Sequence, residues 1–154
     1  MASAQIRLNG LKALQQRLKQ ARDNLQTALE IKLLYLGEEA ATHAKLHKGY
    51  KDHTANLKNS ISYALYLDGK PVTMEVGKVD SAEAQAEVQK NLQAYAEAHV
   101  EPKGYSLIVV AGMNYGRYVE DKGYNVLHLT RFFLQDELKK IVLETIEDVK
   151  NGNV

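Results

Sequence analysis

Leucine and alanine step along the first third of the chain in threes and fours. Leu11, Leu14, Leu18, Ala21, Leu25 and Ala28 form a seam with polar residues between them, the spacing that places side chains on one face of an α-helix. The face continues through Leu29, Leu33, Leu36, Ala40 and Ala44 towards Leu46, and Asn9-Gly10 stands before it as a cap region. No proline interrupts Leu11–His47, and Gly37 is its one weak point. Unbroken, such a helix is ~55 Å long at ~1.5 Å per residue. A compact domain of this size is only ~40 Å across. Two readings follow. Either the helix overhangs its own domain and carries an unpartnered apolar seam, or two helices meet at a bend near Gly37.

The period changes after His47-Lys48-Gly49, where glycine takes the usual place at a helix C-terminus. Thr54 can cap a short turn through Asn56, Leu57 and Ser60. Ile61, Tyr63, Leu65 and Leu67 then alternate with Ser62, Ala64 and Tyr66, and Val72, Met74 and Val76 alternate with Thr73, Glu75 and Gly77. These are two strands joined by a turn at Asp68-Gly69-Lys70-Pro71, hence a hairpin. Asp80–His99 is rich in Ala, Gln and Glu. It predicts a helix inserted between strands, with Asp80 and Glu83 as a capping box. Val88, Leu92, Tyr95 and His99 form a narrow apolar stripe that ties it lightly to the core. Tyr105–Ala111 is the most apolar strand and so is expected at the centre of the sheet. A short helical or turn segment is expected at Tyr115–Glu120. A last helix follows from Thr130 to Lys150, its buried face marked by Phe133, Leu134, Leu138, Ile141, Val142, Thr145 and Val149.

The order helix, strand, strand, helix, strand, helix predicts a single α+β domain over residues 1–154. Its parts are a helical arm (11–47), a turn plus β-hairpin (50–77), a helical insertion (80–100), a strand (105–111) and a C-terminal helix (130–150). The sheet is expected to be small and antiparallel, packed against the long N-terminal helix and the C-terminal one.

Composition narrows the function more than it names one. The chain has no cysteine, so disulfide frameworks and thiolate metal sites are excluded. Twenty basic residues face nineteen acidic ones, which argues against a bulk electrostatic affinity for nucleic acid. The first ten residues lack the apolar core of a signal peptide, and no run reaches the ~20 apolar residues of a membrane span. A soluble protein, made in the cytoplasm, is expected. Nine tyrosines stand against two phenylalanines and no tryptophan. Tyrosine suits interfaces and half-buried strands equally.

Candidate chemistry is sparse. His43 and His47 are spaced to share a helix face, as metal ligands do. The intervening HAKLH lacks the glutamate of H-E-x-x-H, and a third ligand would have to come from Asp52 or His53. A metal-dependent hydrolase on His43 and His47 is thus one alternative; a solvated helix end is the other. Glu120-Asp121 has no partner carboxylate at a telling spacing. Gly112–Gly116 (GMNYG) matches no phosphate-binding fingerprint, and no nucleophile elbow is present.

Two segments carry a family resemblance. Asp52–Ile61 (DHTANLKNSI) is similar to a phrase written approximately D-x-T-G-N-L-R-x-S-I, found in the tail-completion or head–tail joining proteins of long-tailed, lambdoid-type siphophages. These are often described as minor tail components. Ala111–Glu120 (AGMNYGRYVE) resembles the family phrase V-x-Y-A-x-Y-V-E followed by a glycine, here Gly123. Thr130–Leu134 (TRFFL) stands where the family runs into a Pro-Phe-Leu phrase. Ala55 replaces the usual glycine, Gly116 replaces a common alanine, the prolines around the last helix are missing, and the Asp80–His99 insertion is long.

The resemblance implies a phage or prophage structural protein that works in virion assembly by contact, without catalysis or cofactor. It implies a homo-oligomeric ring, often of six copies. The tail tube or tail terminator and the head connector are its partners, in the host cytoplasm during assembly and then in the virion. Thr54, Asn56, Leu57 and Ile61 are expected to form a structural corner between helix and sheet. Oligomer or partner contacts are expected at Leu11, Leu14, Leu18, Leu25, Leu92, Tyr95, Tyr115 and Tyr118. A non-viral α+β binding module shares this contact logic and is the remaining alternative.

Overall fold

A computed structural model describes residues 1–5, 9–52 and 54–154. His53, a candidate ligand in the sequence, lies outside the described residues. The chain is α+β. Its elements are α1 (Leu11–Leu46), α2 (Asn56–Asn59), β1 (Ile61–Leu67), β2 (Lys70–Glu75), α3 (Ala82–His99), β3 (Tyr105–Ala111), α4 (Gly116–Asp121) and α5 (His128–Lys150). The three strands form one antiparallel sheet in the order β2-β1-β3.

The alternation along β1 serves both faces of the sheet. Ile61 and Tyr63 pack with Ala41 and Ala44 of α1. Ala64 and Tyr66 pack with Leu92 and Ala96 of α3, together with Ile108 of β3. The central strand is therefore β1, and the expectation of a central Tyr105–Ala111 is corrected: among the described residues β3 is an edge strand, paired with β1 alone through seven residues. Its apolar character comes from the helices that flank it, not from strands on both sides.

α1 runs unbroken for 36 residues, ~54 Å at ~1.5 Å per residue, so the bend at Gly37 does not occur. Glycine is needed there for a different reason. A Cβ at Gly37 would stand 2.5 Å from Cδ2 of Tyr63, so the helix can cross the sheet this closely only where it has no side chain. α5 runs antiparallel along α1. Nδ1 of His43 lies 3.0 Å from Oγ1 of Thr130, and Nζ of Lys32 donates to Oδ2 of Asp148 at 3.0 Å.

The insertion is a core element, not a light attachment. Val88, Leu92 and Ala96 are fully buried, and burying Val88 and Leu92 contributes about 1.5–3 kcal/mol each. Its N-cap is Ser81, whose hydroxyl accepts from the Ala84 amide at 3.1 Å; the Asp80 capping box does not form. Leu92, expected among the partner contacts, is thereby removed from them. α5 also differs from its expected buried face. Phe133, Leu134, Ile141 and Thr145 are half-buried, whereas Leu138, Val142 and Val149 are exposed.

The hairpin turn is the two-residue Asp68-Gly69, with φ of 51° and 75°. Both residues are left-handed, as a type I′ turn requires. A register shift between Leu65 and Tyr66 seats Pro71 on the β2 edge, where its missing N–H costs no central ladder bond.

Candidate interaction surfaces

The corner between α1 and the sheet is built from side chains that satisfy backbone groups. Oδ2 of Asp52 accepts from the Lys58 amide at 2.8 Å and holds the first turn of α2. The Thr54 hydroxyl is 3.4 Å from the Asn56 amide, a weaker cap than the sequence suggests. Ala55 takes φ of 58°, a left-handed conformation that a Cβ disfavours by about 1–2 kcal/mol. Asn56 reaches across to accept from the Asp80 amide at 3.2 Å. Leu57 and Ile61 are buried, Leu57 against Tyr50 and Val126, Ile61 against α1. Ser60 and Ser62 are buried but satisfied: Ser60 Oγ donates to the Leu57 carbonyl, and Ser62 Oγ donates to Ser60 O and accepts from the Gly77 amide. The corner thus fastens α2, β1 and the exit of β2.

A second fastening was not visible as such in the sequence. Glu120, at the end of α4, accepts from the amides of Val126 and Leu127 at 2.9 and 2.7 Å, and of His128 at 3.2 Å. A carboxylate at the start of α5 meets orphan amides and the positive end of the helix dipole. Asn125 completes the joint. Its Oδ1 accepts from the Leu129 amide and its Nδ2 donates to the His47 carbonyl. The two motif segments converge here, with Leu57, Val119 and Val126 in one cluster, and a Cβ at Gly116 would stand 3.1 Å from Cδ1 of Leu57. The Tyr50 phenol sits in the same cluster. Burial, then the charges of Asp52, Tyr115 and Glu120, pushes its pKa up to about 12. Its hydroxyl has no hydrogen-bond partner among the described residues.

His43 and His47 do come together, as a stack with ring centroids 4.1 Å apart. Their Nδ1 atoms are taken up by Thr130 Oγ1 and by the His43 carbonyl. Phe133 covers the other face of His43 at 4.5 Å. Burial, and then the His47 imidazole, hold the His43 pKa below its ordinary value. Among the described residues no group of three or more His, Asp or Glu could hold a metal ion. Asp52 is engaged in capping α2.

The remaining candidates lie on open surface. Every residue from Leu11 to Asn24 is exposed, so α1 overhangs the body by ~21 Å at ~1.5 Å per residue. Leu11, Leu14 and Leu18 expose 51 %, 54 % and 61 % of their surface, while Leu25 is half-buried where the helix meets the body. At that point the Tyr105 hydroxyl donates to Oε1 of Glu30 at 2.8 Å. Tyr118 is exposed, with Lys122 over its ring, and Tyr115 is partly exposed at the corner.

Beside β3 an apolar groove of about 640 Å³ opens between Leu29 and Leu33 of α1, Leu107 and Val109 of β3, and Leu134, Leu138 and Val142 of α5. Tyr95, stacked on His99 at 4.0 Å, stands at its α3 side. The periodicity of α5 predicts these residues as core. The signal against it is that α5 is apolar on more than one face: Leu143 and Ile146 are exposed as well. Contiguous exposed apolar surface of this kind marks interaction sites. No helix among the described residues is long and apolar enough to cross a membrane. Compared with models of protein families, with curated proteins and with solved structures, the chain matches none.

Proposed function

We propose that the chain is a structural protein of a long-tailed phage or prophage, acting in virion assembly as a tail-completion or head–tail joining component. It works by protein–protein contact, without catalysis. Its partners are the tail tube or tail terminator, the head connector, and further copies of itself in a ring, six by the resemblance. It acts in the host cytoplasm during assembly and stays in the virion.

The observation that carries this reading is where the resembling residues fall. Asp52 and Glu120 both hold helix N-termini. Ala55, which stands where the family has glycine, is left-handed, and so is Gly123 at φ of 84°. The two segments are far apart in the chain, yet they pack into one cluster around Leu57. A shared phrase in which Asp52, Glu120 and Gly123 each meet a need of the backbone is better support than the phrase alone. The exposed arm and the apolar groove supply surfaces that a contact protein needs and a monomeric enzyme does not.

Disruption of the gene in the phage genome that carries it tests the reading. A collapse of infectious titre is expected, restored by the intact chain from a plasmid. Restoration by a Leu14→Asp/Leu18→Asp chain that remains folded would count against contact through the arm. An undiminished titre in the disruption removes the virion role, and a cellular binding partner then becomes the reading to pursue.

A further inference from the structure

We propose that the groove between α1, β3 and α5 is the seat for the N-terminal half of α1 of a second copy, in a head-to-tail contact. Leu11, Leu14 and Leu18 of one copy lie against Leu138 and Val142 of the next. The inference deepens the assembly reading and rests on it for its biological setting.

Three observations fit the arm to this seat. The first is dimension. Leu11 to Leu18 spans ~10 Å of helix and Leu134 to Val142 spans ~12 Å, at ~1.5 Å per residue. An apolar seam of leucines thus meets an apolar wall of matching length. The second is connectivity. α1 is one continuous helix, so the arm cannot turn back into its own groove and can reach such a seat only on another copy. The third is charge. The exposed arm, residues 11–24, holds four basic residues, Lys12, Arg17, Lys19 and Arg22, and one acidic residue, Asp23, which lies 3.5 Å from Arg22. The rest of the chain has sixteen basic and eighteen acidic residues. A basic arm and an acidic body attract arm to body between copies and repel arm from arm. Arg131 and His99 also line the groove, so the attraction is between arm and body as wholes. On the arm, Arg17 and Arg22 flank the leucine seam on either side, leaving its centre apolar.

One arm and one seat per copy make a heterologous contact, which closes into a ring or continues as a filament according to its rotation. A symmetric arm–arm pairing would use the same leucines and end at a dimer. The two are separable because the chain has no cysteine. One preparation carries Leu18→Cys and a size tag, the other carries Leu138→Cys, and the mixture is oxidised or treated with a short bismaleimide. All three positions changed here are exposed, and circular dichroism checks that each variant keeps its helix content.

The expected product is a mixed dimer of one tagged and one untagged chain, lost when Leu14→Asp is added to the Leu18→Cys chain. Cross-linking of the Leu18→Cys chain with itself as readily as with its partner overturns the proposal in favour of an arm–arm dimer. Absence of the mixed product at millimolar protein overturns it in favour of a different occupant of the groove. Because the readout uses purified protein, it is separate from the virion role. A mixed cross-link together with undiminished phage titre would keep the contact and remove the joining function, and lost titre without a cross-link would do the reverse.

Discussion

Gly37 decides how the arm is held, and replacing it tests that geometry directly. If the glycine were a hinge, Gly37→Ala would stiffen the helix and stabilise the protein by about 1 kcal/mol, the difference in helix propensity. The packing predicts the opposite sign. A methyl group at this position would stand 2.5 Å from Cδ2, 2.9 Å from Cε2 and 3.1 Å from Cγ of Tyr63. Carbon atoms prefer ~3.5–4.0 Å, so the ring must retreat by about 1 Å. Its Cβ is fixed in the central strand, so the movement falls on χ1, at roughly 0.5–1.5 kcal/mol, or on the helix–sheet spacing. Overpacking of this sort costs about 1–3 kcal/mol in all. Set against the propensity gain, Gly37→Ala should destabilise by about 1 kcal/mol. For a chain of this length that lowers Tm by roughly 2–4 °C. Thermal melts of four proteins give the answer: wild type, Gly37→Ala, Tyr63→Ala and the double variant. In the Tyr63→Ala background the clash is gone and Gly37→Ala should now stabilise by about 1 kcal/mol. A raised Tm for Gly37→Ala in the wild-type background would refute the close crossing. So would a cost that persists without the ring.

Other residues carry expectations of equal definiteness. Ala55→Gly relieves a left-handed Cβ at some cost in unfolded-chain entropy, and should raise stability by about 0.5–1 kcal/mol in urea titration. Glu120→Ala removes the acceptor of three amides at the start of α5 and should cost about 2–3 kcal/mol, seen as a lowered denaturation midpoint with loss of protection at residues 126–128 in hydrogen exchange. Tyr50→Phe should be nearly neutral at pH 7, because the buried hydroxyl has no partner among the described residues. The two proteins should part in alkali. The unfolded phenol ionises near pH 10 and the folded one only at about 12, so wild type loses stability as pH rises through that window, by on the order of 2 kcal/mol. Tyr50→Phe should show a shallower slope in melts taken from pH 9 to 12, with the remainder carried by Tyr63, Tyr66, Tyr105 and Tyr115, whose pKa values burial also raises.

Much of the fold was legible because periodicity reports one buried face at a time. The seam from Leu11 to Ala44 marked α1, and the alternation after Ile61 marked β1. Periodicity does not report what covers a face. Tyr105–Ala111 is as apolar as a central strand, yet its far edge pairs with no strand among the described residues, and its residues line the groove. Leu138 and Val142 carry the same signal as core residues and are exposed. Leu92 reads both as a light tie to the core and as a partner contact, since its helix is thinly apolar; alanines such as Ala96 add close contact that a hydrophobic stripe under-reports. Gly37 was ambiguous because the ring that requires it lies 26 positions away on another element. Glu120 was hidden because its amides belong to a helix that begins after an intervening loop. Chemistry that depends on one side chain meeting a distant backbone leaves no local pattern.

The proposal that this chain joins parts of a virion by contact is open to electron microscopy of lysates from the induced phage, with and without the gene. Filled heads beside free tails, with few joined particles, are expected when the gene is absent, and joined particles again when the intact chain is supplied. Fully joined, infectious particles in its absence would contradict it.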